Sequence, residues 1–282
     1  MKTNASSESG CRDRYKDLSI SFDEIASSYD DETCQNPIFQ SMRKTNLEYL
    51  MGTIQRGDRV LEIGCGTGQE AIALAKSGVR VVATDVSPLM LEETRKKADL
   101  QGVGLETFNL PAGGLSELEE TYGRDHFDCV YSSFGALNCE PDLGIVDAQL
   151  ARLLKPDGVL VASVMNKYAL FEIISNLALL RTGKAFQRMS SPVSAPIGKG
   201  MKVEVRYYTP RGFASCFRHF EVEDSRALGI FMPPPYADDI VRGRKRLLRT
   251  LNGIDEGICR IWPFNGLGDH TLIKMRKVHS GK

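Results

Sequence analysis

The sequence predicts one α/β domain built on a mostly parallel sheet with helices on both faces. Three observations carry that expectation. From Arg59 onward, short β-rich runs alternate with helical stretches. Those runs are rich in apolar residues, as parallel strands covered on both faces are. A chain of 282 residues, 42% hydrophobic and 26% charged, suits one large domain carrying inserted caps better than two independent ones.

Taken in order, residues 1–19 open with MKTNASSESGCRDRYKD, which has no apolar segment and reads as a disordered leader. An N-terminal helical segment, 20–56, follows. In SFDEIASSYDD, Phe22, Ile25, Ala26 and Tyr29 share one helical face, and Pro37 to Ile54 places Ile38, Met42, Leu47 and Leu50 on another. The core, 57–165, begins with strand RVLEIG, helix QEAIALAKSG closed by Gly78, and strand VRVVATD. A helix from Ser87 to Gln101 has Ser87 as N-cap and Pro88 at its first position. Strands GLETFNL and FDCVYSS come next, then a helix from Asp142 to Leu154 and, after the turn Lys155-Pro156-Asp157-Gly158, strand GVLVASVM. Beyond Met165 the alternation loosens. Asn166 to Gly183 reads as helix, Ser190 to Gly200 as loop, VEVRYYT as strand and Pro210 to Phe217 as helix. FEVEDSRALGIF is a strand stopped by Pro233 to Pro235, Ala237 to Asn252 a helix, and DHTLIKMRKV the last strand. Residues 166–200 and 232–268 read as two insertions capping the substrate side.

Composition narrows the function. No run of about 18 apolar residues exists, so no stable membrane insertion is expected. Seven cysteines without a CxxC pair point to reduced thiols in a cytoplasmic protein, with neither a disulfide framework nor a metal site. Net charge is zero but uneven: residues 1–180 carry 17 Lys/Arg against 27 Asp/Glu, residues 181–282 carry 19 against 9. A basic final third fits an anionic substrate, a nucleic acid or a membrane surface, or simply two halves that neutralise each other.

The strongest chemical signal is LEIGCGTG, Leu61 to Gly68. Glycines at positions 64, 66 and 68, after a strand and before a helix, let backbone approach a ligand and expose the first helical N–H groups. Asp85 closes the next strand, where a carboxylate accepts both hydroxyls of a ribose. The spacing is GxGxG, not the GxGxxG that seats a pyrophosphate, and Glu62 would repel a diphosphate. Both features disfavour a nicotinamide dehydrogenase and favour a cofactor bearing positive charge.

These residues carry a resemblance. LEIGCGTG, VVATDVSPLML, FDCVYSSFGALN and LARLLKPDGVLVASV resemble successive motifs of class I S-adenosylmethionine-dependent methyltransferases. FDEIASSYDD is similar to the N-terminal helix of their small-molecule branch, which includes quinone-type methyltransferases. The resemblance covers residues 20–165, is looser over YYTPRGFASCFRHFEV and the final strand, and is silent for both insertions. It implies a Rossmann-like, doubly wound, mostly parallel seven-stranded sheet, with S-adenosyl-L-methionine as cofactor. It places Glu62 and Gly64 at the methionine amino group, Gly66 at the methionine portion, Cys65 and Gly68 within the same loop, and Asp85 at the ribose. It sets Val86 and Met90 against the adenine, Asn109 and Leu110 at the adenine edge, Ser132 and Ser133 beneath the sulfonium, and Tyr29 over the cofactor. Asn109 replaces the Asp usual in the family, which keeps an acceptor and drops the charge.

An in-line methyl transfer needs positioning above all, and a general base when the acceptor is a hydroxyl. Of four histidines, His270 in Gly268-Asp269-His270 is the candidate base, with Asp269 or another carboxylate orienting its ring. Asn138, Tyr168, Tyr208 and Tyr236 are the candidate substrate contacts; Tyr207 and Cys139 lie near them. RGRKRLLR puts Arg242, Lys245, Arg246 and Arg249 on one helix face, as an anion grip or a solvated surface. The expected activity is methyl transfer to a small, partly apolar metabolite, with no nucleic-acid partner. The alternatives are an RNA or protein methyltransferase using the basic final third, and a catalytically inactive cofactor-binding partner protein. No NPPY-type motif follows the fourth strand, which reads SSFGALN and speaks against the RNA or protein substrate.

Overall fold

The computed structural model describes residues 4–197 and 200–278. Helices α1 (Asn4–Asp23), α2 (Tyr29–Gln35) and α3 (Pro37–Met51) precede the sheet. Alternating units follow: β1 (Arg59–Ile63), α4 (Gln69–Lys76), β2 (Arg80–Asp85), α5 (Pro88–Leu100), β3 (Glu106–Asn109), α6 (Ser116–Tyr122), β4 (Phe127–Ser132), α7 (Leu143–Leu153) and β5 (Leu154–Met165). The remainder contains α8 (Leu170–Ala178), α9 (Thr182–Ala185), β6 (Val193–Ile197), β7 (Met201–Val205), α10 (Pro210–Ala214), β8 (Phe220–Leu228), α11 (Lys245–Ile258) and β9 (His270–Lys277).

Seven strands form one sheet in the order β3-β2-β1-β4-β5-β9-β8. The first five are parallel, and β9 runs antiparallel to both β5 and β8. Two apolar clusters cover its faces. One joins Leu143, Val146 and Leu150 of α7 with Phe213 and Phe217; the other joins Ile38, Met42 and Leu50 of α3 with Ala71 and Leu74 of α4 and Leu91 of α5. The doubly wound, mostly parallel seven-stranded architecture expected from the sequence is therefore present. The winding direction reverses between β1 and β4, and a crevice opens there at the carboxyl ends of the strands.

Several local expectations are corrected. The segment read as a disordered leader is helical from Asn4, and tertiary bonds anchor that helix. Tyr15 donates from its hydroxyl to Glu140 (2.8 Å), Arg14 pairs with Glu204, and Asp23 accepts from the Ser87 hydroxyl (2.5 Å) and the Leu89 N–H (3.1 Å). The helix expected across Phe22–Tyr29 is broken by a turn between α1 and α2. The Ser190–Gly200 loop contains β6, which pairs antiparallel with β7; Val193, Ala195 and Ile197 on one arm and Met201, Val203 and Val205 on the other recur at every second position. The helix expected at Ala237–Asn252 is divided into a 3-10 turn, Pro235–Ile240, and α11, and α6 had not been foreseen. His279 lies outside the described residues.

Candidate active site

The turn after β1 is left-handed at Gly64, Gly66 and Gly68 (φ +70°, +54° and +76°), a conformation that L side chains rarely adopt. A Cβ on Gly64 would meet the Ala136 methyl at 2.3 Å, and one on Gly68 would meet Thr94 at 2.5 Å, so these two glycines pack. A Cβ on Gly66 would meet nothing within 4 Å, so this is the open rung of the loop. Asp85 holds the loop in shape: one carboxylate oxygen accepts the Gly66 N–H (2.8 Å), the other the Ser87 N–H (2.9 Å). Burial raises its pKa to about 6 against the pull of those N–H groups. Asn109 gives both amide protons to the carbonyls of Asp85 and Val86 (3.0 and 2.9 Å), which leaves Oδ1 as an acceptor.

Beneath the loop lies a buried ionic cluster. Glu62 is 1% exposed, and its Oε2 has no protein partner. Desolvation lifts its carboxyl well above the ordinary value, helped by the charges of Glu70 and Asp85 and opposed by Arg43. Arg43, on the buried stripe of α3, donates from Nε to Glu70 (2.7 Å), while its Nη1 is buried without a partner. Burial pushes the Tyr29 hydroxyl up to about 12, near the same Arg43, Glu70 and Asp85. Three carboxylates around one guanidinium leave a low-dielectric pocket short of positive charge, and an isolated buried charge is costly. Across the mouth, Asp30 of α2 accepts from the Thr67 hydroxyl and from Lys97 Nζ, both at 2.6 Å.

A second constellation begins where β9 meets β5. Asp269 accepts from His270 Nδ1 (2.8 Å) and from Arg188 Nη2 (2.6 Å), and Arg188 also pairs with Glu172 of α8 (2.6 Å). These charges hold the Asp269 carboxyl far below the usual range despite its burial. With Nδ1 engaged, Nε2 is the nitrogen of His270 left to exchange a proton. Phe134 links the two constellations: its ring carries the Arg43 guanidinium at 5.4 Å and lies edge-on to His270 at 6.3 Å. Its φ of +49°, rare for an aromatic residue, is local strain of the kind that collects at working sites.

A methyltransferase-domain family model matches residues 60–158. The chain is 35% identical over 171 residues to a Geobacillus sp. (strain WCH70) protein that carries a methyltransferase name, covering 60% of this chain and 67% of that one. The chain belongs to the S-adenosylmethionine-dependent methyltransferases. It is also 32% identical over 158 residues to the demethylmenaquinone methyltransferase of Clavibacter sepedonicus, covering 51% of this chain and 56% of that protein. Among solved structures, the [4+2]-cyclase SpnF superposes with a TM-score of 0.62 over 92% of this chain and 94% of its own, at 15% identity. That likeness concerns the fold alone.

Within this methyltransferase, the residues that the sequence nominated separate into three groups. Glu62, Gly66, Asp85, Val86, Asn109 and Tyr29 gather at the crevice, and His270 sits on its far side. Others serve packing. Met90 is 1% exposed beneath the first turn of α5, Leu110 is in the core, and Cys65 is buried with its thiol pushed well above its ordinary value. Ser132 ties β4 to β1 by donating to the Ile63 carbonyl (3.0 Å), and Ser133 is buried just beyond it. Asn138, nominated for substrate, is fully buried and gives its amide to the carbonyls of Met165 (3.1 Å) and Arg206 (2.6 Å), while its oxygen takes the Met165 N–H (2.9 Å). It is a clamp between chain segments rather than a substrate contact.

Tyr208 is likewise a packing residue, edge-on to Phe213 and hydrogen-bonded through its backbone to Met165 and Lys167. Tyr168 is 36% exposed. Tyr236 is 73% exposed, and Glu172, Arg188 and Asp269 lie close enough for their charges to act on its hydroxyl. Arg43, Glu70, Phe134, Arg188 and Glu172 escaped the sequence reading. A signal existed for the first: Arg43 and Asn46 fall among Ile38, Met42 and Leu50 on the buried stripe of α3, where polar residues need a reason. No four-residue metal cluster of His, Cys, Asp and Glu stands out, and none of three or more could hold an ion among the described residues.

Proposed function

We propose that this methyltransferase binds S-adenosylmethionine in the crevice between β1 and β4 and methylates a small, partly apolar metabolite at a group that His270 deprotonates. One observation carries the reading: a buried Asp269–His270 pair and a buried pocket of Glu62 and Arg43 with unpartnered polar atoms both border the single ring of Phe134. When bound, S-adenosylmethionine supplies an electrophilic methyl group on a sulfonium whose thioether is the leaving group.

The residues fit that group. The unpartnered Oε2 of Glu62 accepts an ammonium proton, and the unpartnered Nη1 of Arg43 donates to a carboxylate. Gly66 gives backbone access at the open rung of the loop. The lone pairs of Asp85 not used by Gly66 and Ser87 accept ribose hydroxyls, and Asn109 Oδ1 accepts an exocyclic amine. Phe134 already carries the Arg43 guanidinium over its ring, which holds that side chain in the pocket.

On the acceptor side, His270 Nε2 takes the proton as the acceptor's lone pair forms the new bond to carbon. Asp269 keeps the Nδ1–H in place and stabilises the imidazolium that results. Arg188 and Glu172 hold Asp269 from the segment after β5 and cover the site from water. Alignment of the two reactants accounts for roughly 7–11 kcal/mol of barrier lowering in well-oriented systems. General base catalysis adds about 10²- to 10⁴-fold. The relative named for demethylmenaquinone supports an apolar, ring-bearing acceptor.

The test is methyl transfer from labelled S-adenosylmethionine to a panel of quinols, phenols and heteroaromatic N–H compounds, run beside calorimetric binding of the cofactor. Turnover that disappears in His270→Gln while cofactor affinity stays supports the reading. Cofactor binding with no turnover across the panel overturns the enzymatic part, and a His270→Gln enzyme with full activity overturns the base.

A further inference from the structure

We propose that the segments following β5 and β8 together form a face that docks on an anionic lipid bilayer. Because β9 runs antiparallel to both β5 and β8, those two strands end at the same edge of the sheet, and both segments emerge beside the crevice. They also pack on one another: Leu170 at the start of α8 and Ile258 and Phe264 of the second segment share one small cluster with Ala227 and Ile230.

The outer side of this face is apolar to an unusual degree. Six of the nine residues of helix α8 are apolar, yet none of the nine is buried. Ile174 points outward, and the helix runs into Leu179 and Leu180, the latter 89% exposed. On the second segment, Ile261 and Trp262 are exposed, Trp262 by 80%. They immediately precede the 3-10 turn whose Leu267 carbonyl receives the Leu170 N–H. Isolated exposed apolar residues need no explanation, but several exposed on two segments that pack on one another do.

Charge identifies the occupant. Arg181 and Lys184 follow the leucines directly, and Lys245, Arg246 and Arg249 line the outer side of α11. All five are exposed, and none forms an ion pair among the described residues. Aliphatic and indole side chains that enter the acyl boundary, ringed by cations that reach phosphates, are the make-up of an interfacial surface. A two-fold partner would set this same cationic rim against itself, which disfavours a second copy. The seating is peripheral: no helix among the described residues is long and apolar enough to cross a membrane. With the crevice opening at this edge, an apolar acceptor would pass from bilayer to site without crossing bulk water.

The chain's only tryptophan is Trp262, so it reports the contact directly. Full-length protein is mixed with vesicles of phosphatidylcholine alone or with about one-third phosphatidylglycerol, read by sedimentation and by tryptophan emission. Expected are co-sedimentation with the anionic vesicles only, a blue shift of the emission, and weakening as salt rises. Leu179→Ser/Leu180→Ser and Lys245→Glu/Arg246→Glu/Arg249→Glu should each weaken binding about tenfold or more, with circular dichroism and cofactor affinity unchanged. No association with anionic vesicles, or association that both variants leave intact, overturns the proposal. So does a dimer in sedimentation velocity that the leucine variant dissolves, or salt-sensitive RNA binding by protein that ignores vesicles.

Discussion

The glycine crevice and the acceptor side of the same pocket are built by opposite means. The crevice is local: Glu62, the three glycines and Asp85 lie within 24 residues, and backbone N–H groups and φ angles do most of its work. The acceptor side is assembled from Phe134, Glu172, Arg188 and Asp269–His270, which span more than 130 residues. The difference teaches where each property of the enzyme is encoded. In the proposed assignment, donor recognition resides in a short stretch whose geometry tolerates few alternatives. Acceptor recognition resides in side chains whose proximity depends on the whole sheet being in register.

Experiments can break that contrast in order of expected effect. His270→Gln should lower kcat by about 10²- to 10⁴-fold with the donor Kd unchanged, measured by steady-state kinetics beside calorimetry. An equal loss in Kd would merge the two regions. Asp85→Ala should weaken donor binding by about 1–3 kcal/mol, as for loss of an acceptor in charged hydrogen bonds, without changing which acceptors are used. Unchanged affinity would displace the ribose from this carboxylate.

The pH dependence sharpens the same point. Asp85 must be ionised to accept hydroxyls, and burial raises its pKa to about 6, so protonation begins just below neutrality. Donor affinity should therefore fall between pH 7 and pH 5, and Asp85→Asn should flatten that portion of the profile in calorimetric titrations. Asp269, held far below the usual range, stays ionised throughout and contributes nothing to the slope.

The smallest effects lie outside both regions. Asn36 caps α3 by accepting the N–H groups of Ile38 and Phe39, and Asn36→Ala should cost about 1 kcal/mol in denaturant unfolding. Because α3 carries Arg43, a donor affinity that drops further than stability would show the helix to be a working part of the cradle.

The core strands and helices were legible because their periodicity and caps are local: Ser87 accepts the Met90 N–H as an N-cap, and Asp142 does the same for Gly144. The helicity of α1 was not. Nothing in MKTNASSESGCRDRYKD has an apolar stripe, and the helix is anchored by Tyr15, Arg14 and Asp23 to residues more than 60 positions away. Asn138 misled for a related reason. A polar residue near a presumed site looks available until the structure shows its amide already spent on two carbonyls.

From its amino acids alone, this chain declares a glycine turn with an acidic strand before it and another after it, since a left-handed backbone and a strand-end carboxylate follow from residue type and spacing. Tertiary structure alone decided that Arg43 lies beneath Phe134 and that Arg188 grips Asp269. Those contacts arise from side chains meeting across the sheet, and spacing along the chain carries no record of such meetings.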